Sequence, residues 1–114
     1  MIAVIFEVTP HRKRRQTYFD LANQLKPLLD QVDGFVSVER FESLSAPGKL
    51  LSLSFWRDEA AVVAWRGLEA HCRAQRAGRQ DIFAGYRLRV ADVVRDYGLD
   101  DRAQAPAEAR ARHG

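Results

Sequence analysis

His71 is the side chain in this 114-residue chain with the widest chemical reach. Trp65 stands six residues before it, and Leu68 and Gln75 stand within one helical turn. Imidazole titrates near neutrality, so at the edge of a cavity it can move a proton or ligate an iron atom. The plainer alternative is a half-exposed histidine bonded to backbone or to Gln75. The second feature is aromatic: Phe6, Phe35, Phe41, Phe55, Trp56, Trp65, Phe83 and Tyr86 are many for so small a core. Ordinary packing accounts for most of them. The functional alternative is an apolar pocket for a flat ligand, with His71 and an arginine as its few polar groups. The Tyr86-Arg87 and Arg95-Asp96-Tyr97 stretches suit a ligand carboxylate, with surface salt bridges as the competing use.

Other chemistries lack their signatures. The sequence has no GxGxxG, no phosphate-binding loop ending in GK[ST], no GxSxG and no HExxH. One cysteine, Cys72, excludes an internal disulfide and a cysteine-built metal site, and fits a reducing compartment. No metal ligand set is expected, since His11 lies in a basic run and His113 near the end of the chain. The net charge is +3, but 15 of the 18 basic residues are arginines scattered along the chain. The run His11-Arg12-Lys13-Arg14-Arg15 reads as a solvated surface, and no nucleic-acid partner is expected. No apolar run approaches the roughly 20 residues of a membrane span. Met1 to Val8 contains Glu7 and has no basic residues before it, unlike a signal peptide, so a cytoplasmic location is expected.

The elements that must position these groups follow from periodicity. Met1 to Thr9 alternates as a strand, ended by Pro10. Tyr18, Leu21, Ala22, Leu25, Leu28, Leu29 and Val32 form one stripe of a helix from about Arg14 to Val32, with Pro27 on its polar side. Asp33-Gly34 stops it. Phe35 to Ser43 and Lys49 to Arg57 form a hairpin about Ser45-Ala46-Pro47-Gly48. Leu51, Leu53 and Phe55 occupy one face of its second strand, and Ser52, Ser54 and Trp56 the other. Asp58 caps a helix from Glu59 to about Ala77, whose stripe is Ala61, Ala64, Trp65, Leu68 and Cys72, with His71 at the edge. Arg79 to Gly85 connects to a last strand, Tyr86 to Asp96. From Leu99 to Gly114 the chain has no core pattern and reads as a disordered or loosely docked tail.

The order is βαββαβ: an α+β, ferredoxin-like domain over residues 1–98 with a four-stranded antiparallel sheet. Two helices cover one face of such a sheet. The first strand is apolar on both faces, so the open face calls for a partner. A second copy in a two-fold homodimer is the simplest one.

Several stretches together resemble the antibiotic biosynthesis monooxygenase (ABM) superfamily of dimeric α+β-barrel proteins, and within it a bacterial subgroup of monooxygenase-like proteins. They are Val4-Ile5-Phe6-Glu7-Val8, Gly34-Phe35, and Leu53-Ser54-Phe55-Trp56 with Asp58-Glu59-Ala60. Trp65, His71, Ala74-Gln75 and Gly78-Arg79 follow, then Tyr86-Arg87-Leu88-Arg89-Val90-Ala91 and Arg95-Asp96-Tyr97. The resemblance covers about residues 1 to 98. It implies subunits paired sheet to sheet, with a ligand pocket between the sheet and helices of each. Some such proteins oxidise aromatic phenols or quinols with dioxygen and no metal or flavin. Others degrade haem held by a helix histidine, with a strand-one asparagine where Phe6 and Glu7 stand here.

The expectation is therefore a cofactor-independent monooxygenase acting on a small flat aromatic or quinol-type substrate. His71 and Trp65 are its candidate catalytic residues. Phe6, Trp56, Phe83 and Tyr86 are its candidate substrate contacts. The alternatives are a haem-binding or haem-degrading enzyme with His71 as axial ligand, and a non-enzymatic dimeric ligand-binding or stress-response domain.

Overall fold

The computed structural model describes the backbone of residues 1–75 and 82–107, and the side chains of residues 1–69 and 82–107. The elements are β1 (Ile2–Pro10), a 3₁₀ turn (Arg12–Arg14), α1 (Arg15–Leu29), β2 (Phe35–Glu42), β3 (Leu50–Trp56), α2 (Glu59–Gln75) and β4 (Phe83–Asp92). They build one sheet in the order β2-β3-β1-β4, with every neighbouring pair antiparallel. This is the α+β, ferredoxin-like arrangement: each β-α-β unit carries its helix over the sheet to a strand that is not its immediate neighbour.

Register decides which side chains meet the helices. Ile2, Val4, Phe6 and Val8 pair with Trp56, Ser54, Ser52 and Leu50 on one side. On the other side they pair with Asp92, Val90, Leu88 and Tyr86. The period of two then puts this whole set on one face. The serine-bearing face of β3, not its leucine face, therefore looks toward the helices. Trp56 fixes that choice: it is 1% exposed and packs with Ile2, Leu25, Leu29, Ala61, Val62 and Trp65 in one core cluster. A second cluster gathers Val8, Tyr18, Leu50 and Ile82, with Phe6 and Phe83 against it. Ile5, Leu51, Leu53 and Phe55 take the far face, where they are only half-buried, and Phe41 on β2 is exposed.

Three boundaries differ from expectation, each for a local reason. Helix α1 ends at Leu29, but tight turns bond Gln31 to Leu28 and Val32 to Leu29, so Val32 still packs on the core. Strand β4 begins at Phe83, because the Ile82 carbonyl accepts the His11 backbone N–H at 2.8 Å and aligns the chain beside Pro10. It ends at Asp92, because β1 begins there; the Val93 N–H takes the Met1 carbonyl, and beyond it β1 offers no further partner.

Helix α2 starts as expected, with the Ala61 N–H donating to Asp58 Oδ1 at 2.9 Å. Its buried face is rotated from the expected stripe. Ala61, Val62 and Trp65 are buried, whereas Ala64 and Leu68 are exposed. The stacking of Trp65 on Trp56, ring centres 6.4 Å apart, sets that rotation. Gly34 turns the chain between α1 and β2 with a φ of +93°, and a Cβ there would stand 2.9 Å from that of Ala61. Only glycine meets both conditions without strain. Residues 99–107 carry short turns. Gln104 accepts the Asp96 N–H, Arg102 lies over the Tyr97 ring, and Ala105 is 2% exposed.

Candidate active site

Between the sheet and the two helices lies a cavity of about 130 Å³. Its existence follows from side-chain size. Ser52 and Ser54 occupy inward positions of β3 that in a filled core would hold large apolar residues. Val4, Phe6, Leu88 and Val90 of β1 and β4 give it one apolar wall, and Phe83 adds to it. Tyr18, Leu21, Leu25 and Leu29 of α1 and Val62 and Trp65 of α2 close it from the helix side. Arg40, Arg66 and Glu69 complete the lining.

On the β2–β3 side the lining is polar, and Arg66 and Glu69 add charged groups from α2. Arg40 and Ser52 are direct cross-strand partners, and Val38 pairs with Ser54 one step along. Ser54 is buried and its Oγ accepts the indole N–H of Trp56 at 2.9 Å. That bond satisfies a donor that would otherwise be stranded in the core. Arg40 is half-buried, and its Nε is wholly shielded with no hydrogen-bond acceptor. Tyr18, 6% exposed, brings a phenol into the same lining.

Four of the sequence-expected residues meet here: Phe6, Trp56, Trp65 and Phe83 all line the cavity. Phe6 packs against Phe83 at 5.9 Å, edge to face, and Trp56 against Phe35 at 5.2 Å. Tyr86 is 68% exposed and outside the lining, although its ring touches Phe6 at 5.8 Å and Phe83 at 6.0 Å. His71 falls within α2, but its side chain lies outside the described residues, as does that of Cys72. Its expected neighbours Ala64 and Leu68 are exposed, and the cavity is met instead by Val62, Trp65, Arg66 and Glu69 of the same helix.

Sequence reasoning missed Arg40, Ser52, Ser54 and Tyr18. A signal was there for Arg40: it shares a strand face with Val38, and a charged residue on an otherwise apolar face is a candidate for an inward role. The serines gave none, because small polar residues on a strand read as solvent-facing until Trp56 is known to point inward.

Several salt bridges lie away from the cavity. On the open sheet face Glu7 bonds Lys49 at 2.7 Å and Arg89 at 2.6 Å, and these partners hold its carboxyl below the usual value. At the α2 start, Arg57 bridges Asp33 and Asp58. Its bond to Asp58, helped by the Ala61 N–H, lowers that carboxyl, and the two acids raise the guanidinium's own pKa. The Arg12–Arg14 turn is exposed, and Arg15 pairs with Glu42 at 3.2 Å. Among the described residues no three histidine, cysteine or acidic side chains cluster as a metal site. Among the same residues no helix is long and apolar enough to cross a membrane.

Comparison with known proteins agrees with this architecture. Rv0793 of Mycobacterium tuberculosis superposes with a TM-score of 0.71 at 21% identity, over 85% of this chain and 98% of that one. The haem-degrader MhuD of the same organism, with two haems in its active site, gives a TM-score of 0.64 at 16% identity, over 86% of this chain and 100% of that one. Likeness at such identities speaks to the fold. Sequence similarity goes further. A Jasmonate monooxygenase ABM of Pyricularia oryzae is 47% identical over 94 residues, 82% of this chain. The chain spans only 44% of that relative's length. YqjZ of Bacillus subtilis, an uncharacterised protein, is 31% identical over 78 residues, 68% of this chain and 67% of its own. The family model for antibiotic biosynthesis monooxygenases matches residues 1–77, so the chain belongs to the antibiotic biosynthesis monooxygenase family.

Proposed function

We infer that the chain is a monooxygenase that holds a flat aromatic or quinol-type substrate in the sheet–helix cavity and oxidises it with dioxygen, without a bound metal or flavin. The observation that carries this reading is the cavity itself. Two tryptophans and two phenylalanines surround it, and Arg40, Ser52 and Ser54 give it a polar edge on the β2–β3 side. Such a lining orients a flat molecule by one edge and keeps water from its ring.

The chemistry needs little from the protein beyond that. A base removes a proton from a carbon activated by the substrate's rings. The carbanion then gives its electrons to dioxygen, forming a carbon–oxygen bond and a peroxide. Protonation and loss of water leave a carbonyl, so one oxygen atom stays in the product and the other departs as water. The substrate supplies all the electrons. His71 is the proposed base or orienting group, with Trp65 beside the reacting ring and Phe6, Trp56 and Phe83 as the aromatic surroundings; Tyr86 stands outside the lining and packs on Phe6 and Phe83. Positioned general-base catalysis contributes about 10²- to 10⁴-fold, so His71→Ala is expected to lose that much and keep weak activity. Oxygen uptake with a panel of quinols and aromatic phenols, with and without chelator, tests the reading. Uptake at wild-type rate in His71→Ala would move the base elsewhere. Saturable binding without turnover would make the protein a ligand-binding domain.

Haem is the second reading, favoured by the porphyrins in the superposable MhuD structures. The described lining does not itself fit a haem: Tyr18 is its only side chain of a type that ligates haem iron, with no His, Cys or Met among them. The ligand would have to be His71. A haemin titration alongside His71→Ala decides it, since a sharpened Soret band lost in the variant would bring haem forward. For its partner, a second copy of the chain packed on the open sheet face fits the half-buried Ile5, Leu51, Leu53 and Phe55 there. Sedimentation of wild type against Phe55→Lys tests that pairing.

A further inference from the structure

We propose that Arg40 is the specificity residue of this cavity, and that the substrate it selects is an apolar, ring-bearing molecule with one carboxylate. The inference deepens the reading of the cavity as the substrate site and rests on it.

Three observations converge. First, Arg40 lines a mainly apolar cavity, yet its shielded Nε has no acceptor. A buried guanidinium donor without a partner is costly, and in a functional site it marks the place of an incoming acceptor. Second, the salt bridges of the neighbouring cations leave Arg40 aside. Arg15 takes Glu42, Lys49 and Arg89 share Glu7, and Arg57 takes Asp33 and Asp58. Among the described residues no acid lies within ion-pair distance of Arg40, although Glu69 lines the same cavity. Third, its register partner Ser52 and the next inward residue, Ser54, extend a polar edge along β2–β3, alongside the apolar stretch of Val4, Phe6, Leu88 and Val90 on β1 and β4. A ligand with an anionic head and an apolar body meets both at once.

The guanidinium fork matches a carboxylate in two parallel hydrogen bonds, and a carboxylate arrives already charged at neutral pH. A phenol oxygen would offer one acceptor and would first have to lose its proton. The geometry therefore favours the carboxylate over the phenolate. A relative named for jasmonate, itself a carboxylate, is compatible with this assignment.

The test uses acid and ester pairs, because esterification removes the charge and keeps the body. Jasmonate, 4-phenylbutyrate and 2-naphthoate are titrated against their methyl esters by calorimetry at pH 7, with 4-butylphenol as the phenol arm. Wild type is compared with Arg40→Met, which keeps the length of the side chain without its charge, and with Arg40→Lys. At least one acid is expected to bind wild type about tenfold or more tightly than its ester, the margin of a charge-assisted pair. Arg40→Met should erase that preference by weakening the acid far more than the ester, and Arg40→Lys should restore part of it. Equal binding of acid and ester in every pair would overturn the carboxylate assignment and leave the cavity as the binding site. An equal loss for acids and esters in Arg40→Met would reduce Arg40 to a structural residue. Arg40-dependent binding of the phenol alone would replace carboxylate by phenolate. Absence of binding by any probe to wild type would overturn the substrate-site reading together with this one.

Discussion

Replacing Ser54 by alanine removes one oxygen atom and should cost far more than its size suggests. Ser54 is 8% exposed, and its Oγ is the acceptor for the Trp56 indole N–H at 2.9 Å. Trp56 is 1% exposed, so water cannot easily take over as acceptor. A typical hydrogen bond contributes about 1 kcal/mol net, but stranding a buried donor costs about 1–3 kcal/mol. We expect Ser54→Ala to lose about 2 kcal/mol. For a chain of this size that is roughly an 8–12 °C fall in Tm, read by circular dichroism at one fixed protein concentration. The mechanism is separable from simple loss of packing. Trp56→Phe removes the donor, so adding Ser54→Ala to it should cost little more. The double-mutant cycle should then show a coupling of about 1–2 kcal/mol. A coupling near zero, or a Ser54→Ala variant as stable as wild type, would refute the view that this bond fixes the tryptophan.

Three further outcomes follow from other elements. Gly34→Ala should destabilise by about 1–3 kcal/mol, because the position combines a φ of +93° with a 2.9 Å approach to the Ala61 Cβ. Denaturant midpoints check it, and a midpoint equal to wild type would show that the turn relaxes freely. The Glu7 carboxyl is held below its usual 4.5, chiefly by the hydrogen bond from Lys49 and then by that from Arg89. Its contribution is therefore present above pH 4.5 and disappears as pH falls through the lowered folded value. Glu7→Gln should lower Tm at pH 7, approach wild type at strongly acid pH, and so show a shallower acid loss; parallel Tm curves would contradict this. Asp58→Ala should lower Tm and fray the start of α2, whereas Asp58→Asn should keep most of the cap, with hydrogen exchange of the Ala61 amide as the readout.

The fold was legible because strong periodic signals coincided with unambiguous punctuation. Pro10, Asp33-Gly34, the Ser45–Gly48 turn and Asp58 all fall where elements begin or end. The aromatic half of the cavity was legible for a similar reason, since Phe6, Trp56, Trp65 and Phe83 are large residues that a small core must collect. The polar half was not. Which face of β3 points inward depends on its register with β1 and on Trp56, a long-range fact absent from the local alternation of β3. Leu51, Leu53 and Phe55 form the more apolar face in isolation, yet they turn away from the helices. The rotation of α2 has the same origin: Trp65 follows Trp56, not the average hydrophobicity of its own helix. Long-range packing thus overrode local pattern at just the positions that shape the cavity.

The two serines of β3 have an evolutionary consequence. Residues at 52 and 54 point inward, but the helices do not rest on a large side chain at either place. Exchanging Ser52 for alanine, valine or leucine would resize the floor in small steps without altering strand pairing or helix seating. Filling the space buries more apolar surface and favours stability, while shrinking the room left for a ligand. A lineage built on this fold can therefore change what it accommodates by substitutions at a single strand position. Drift toward a solid core is its default course wherever a ligand ceases to matter.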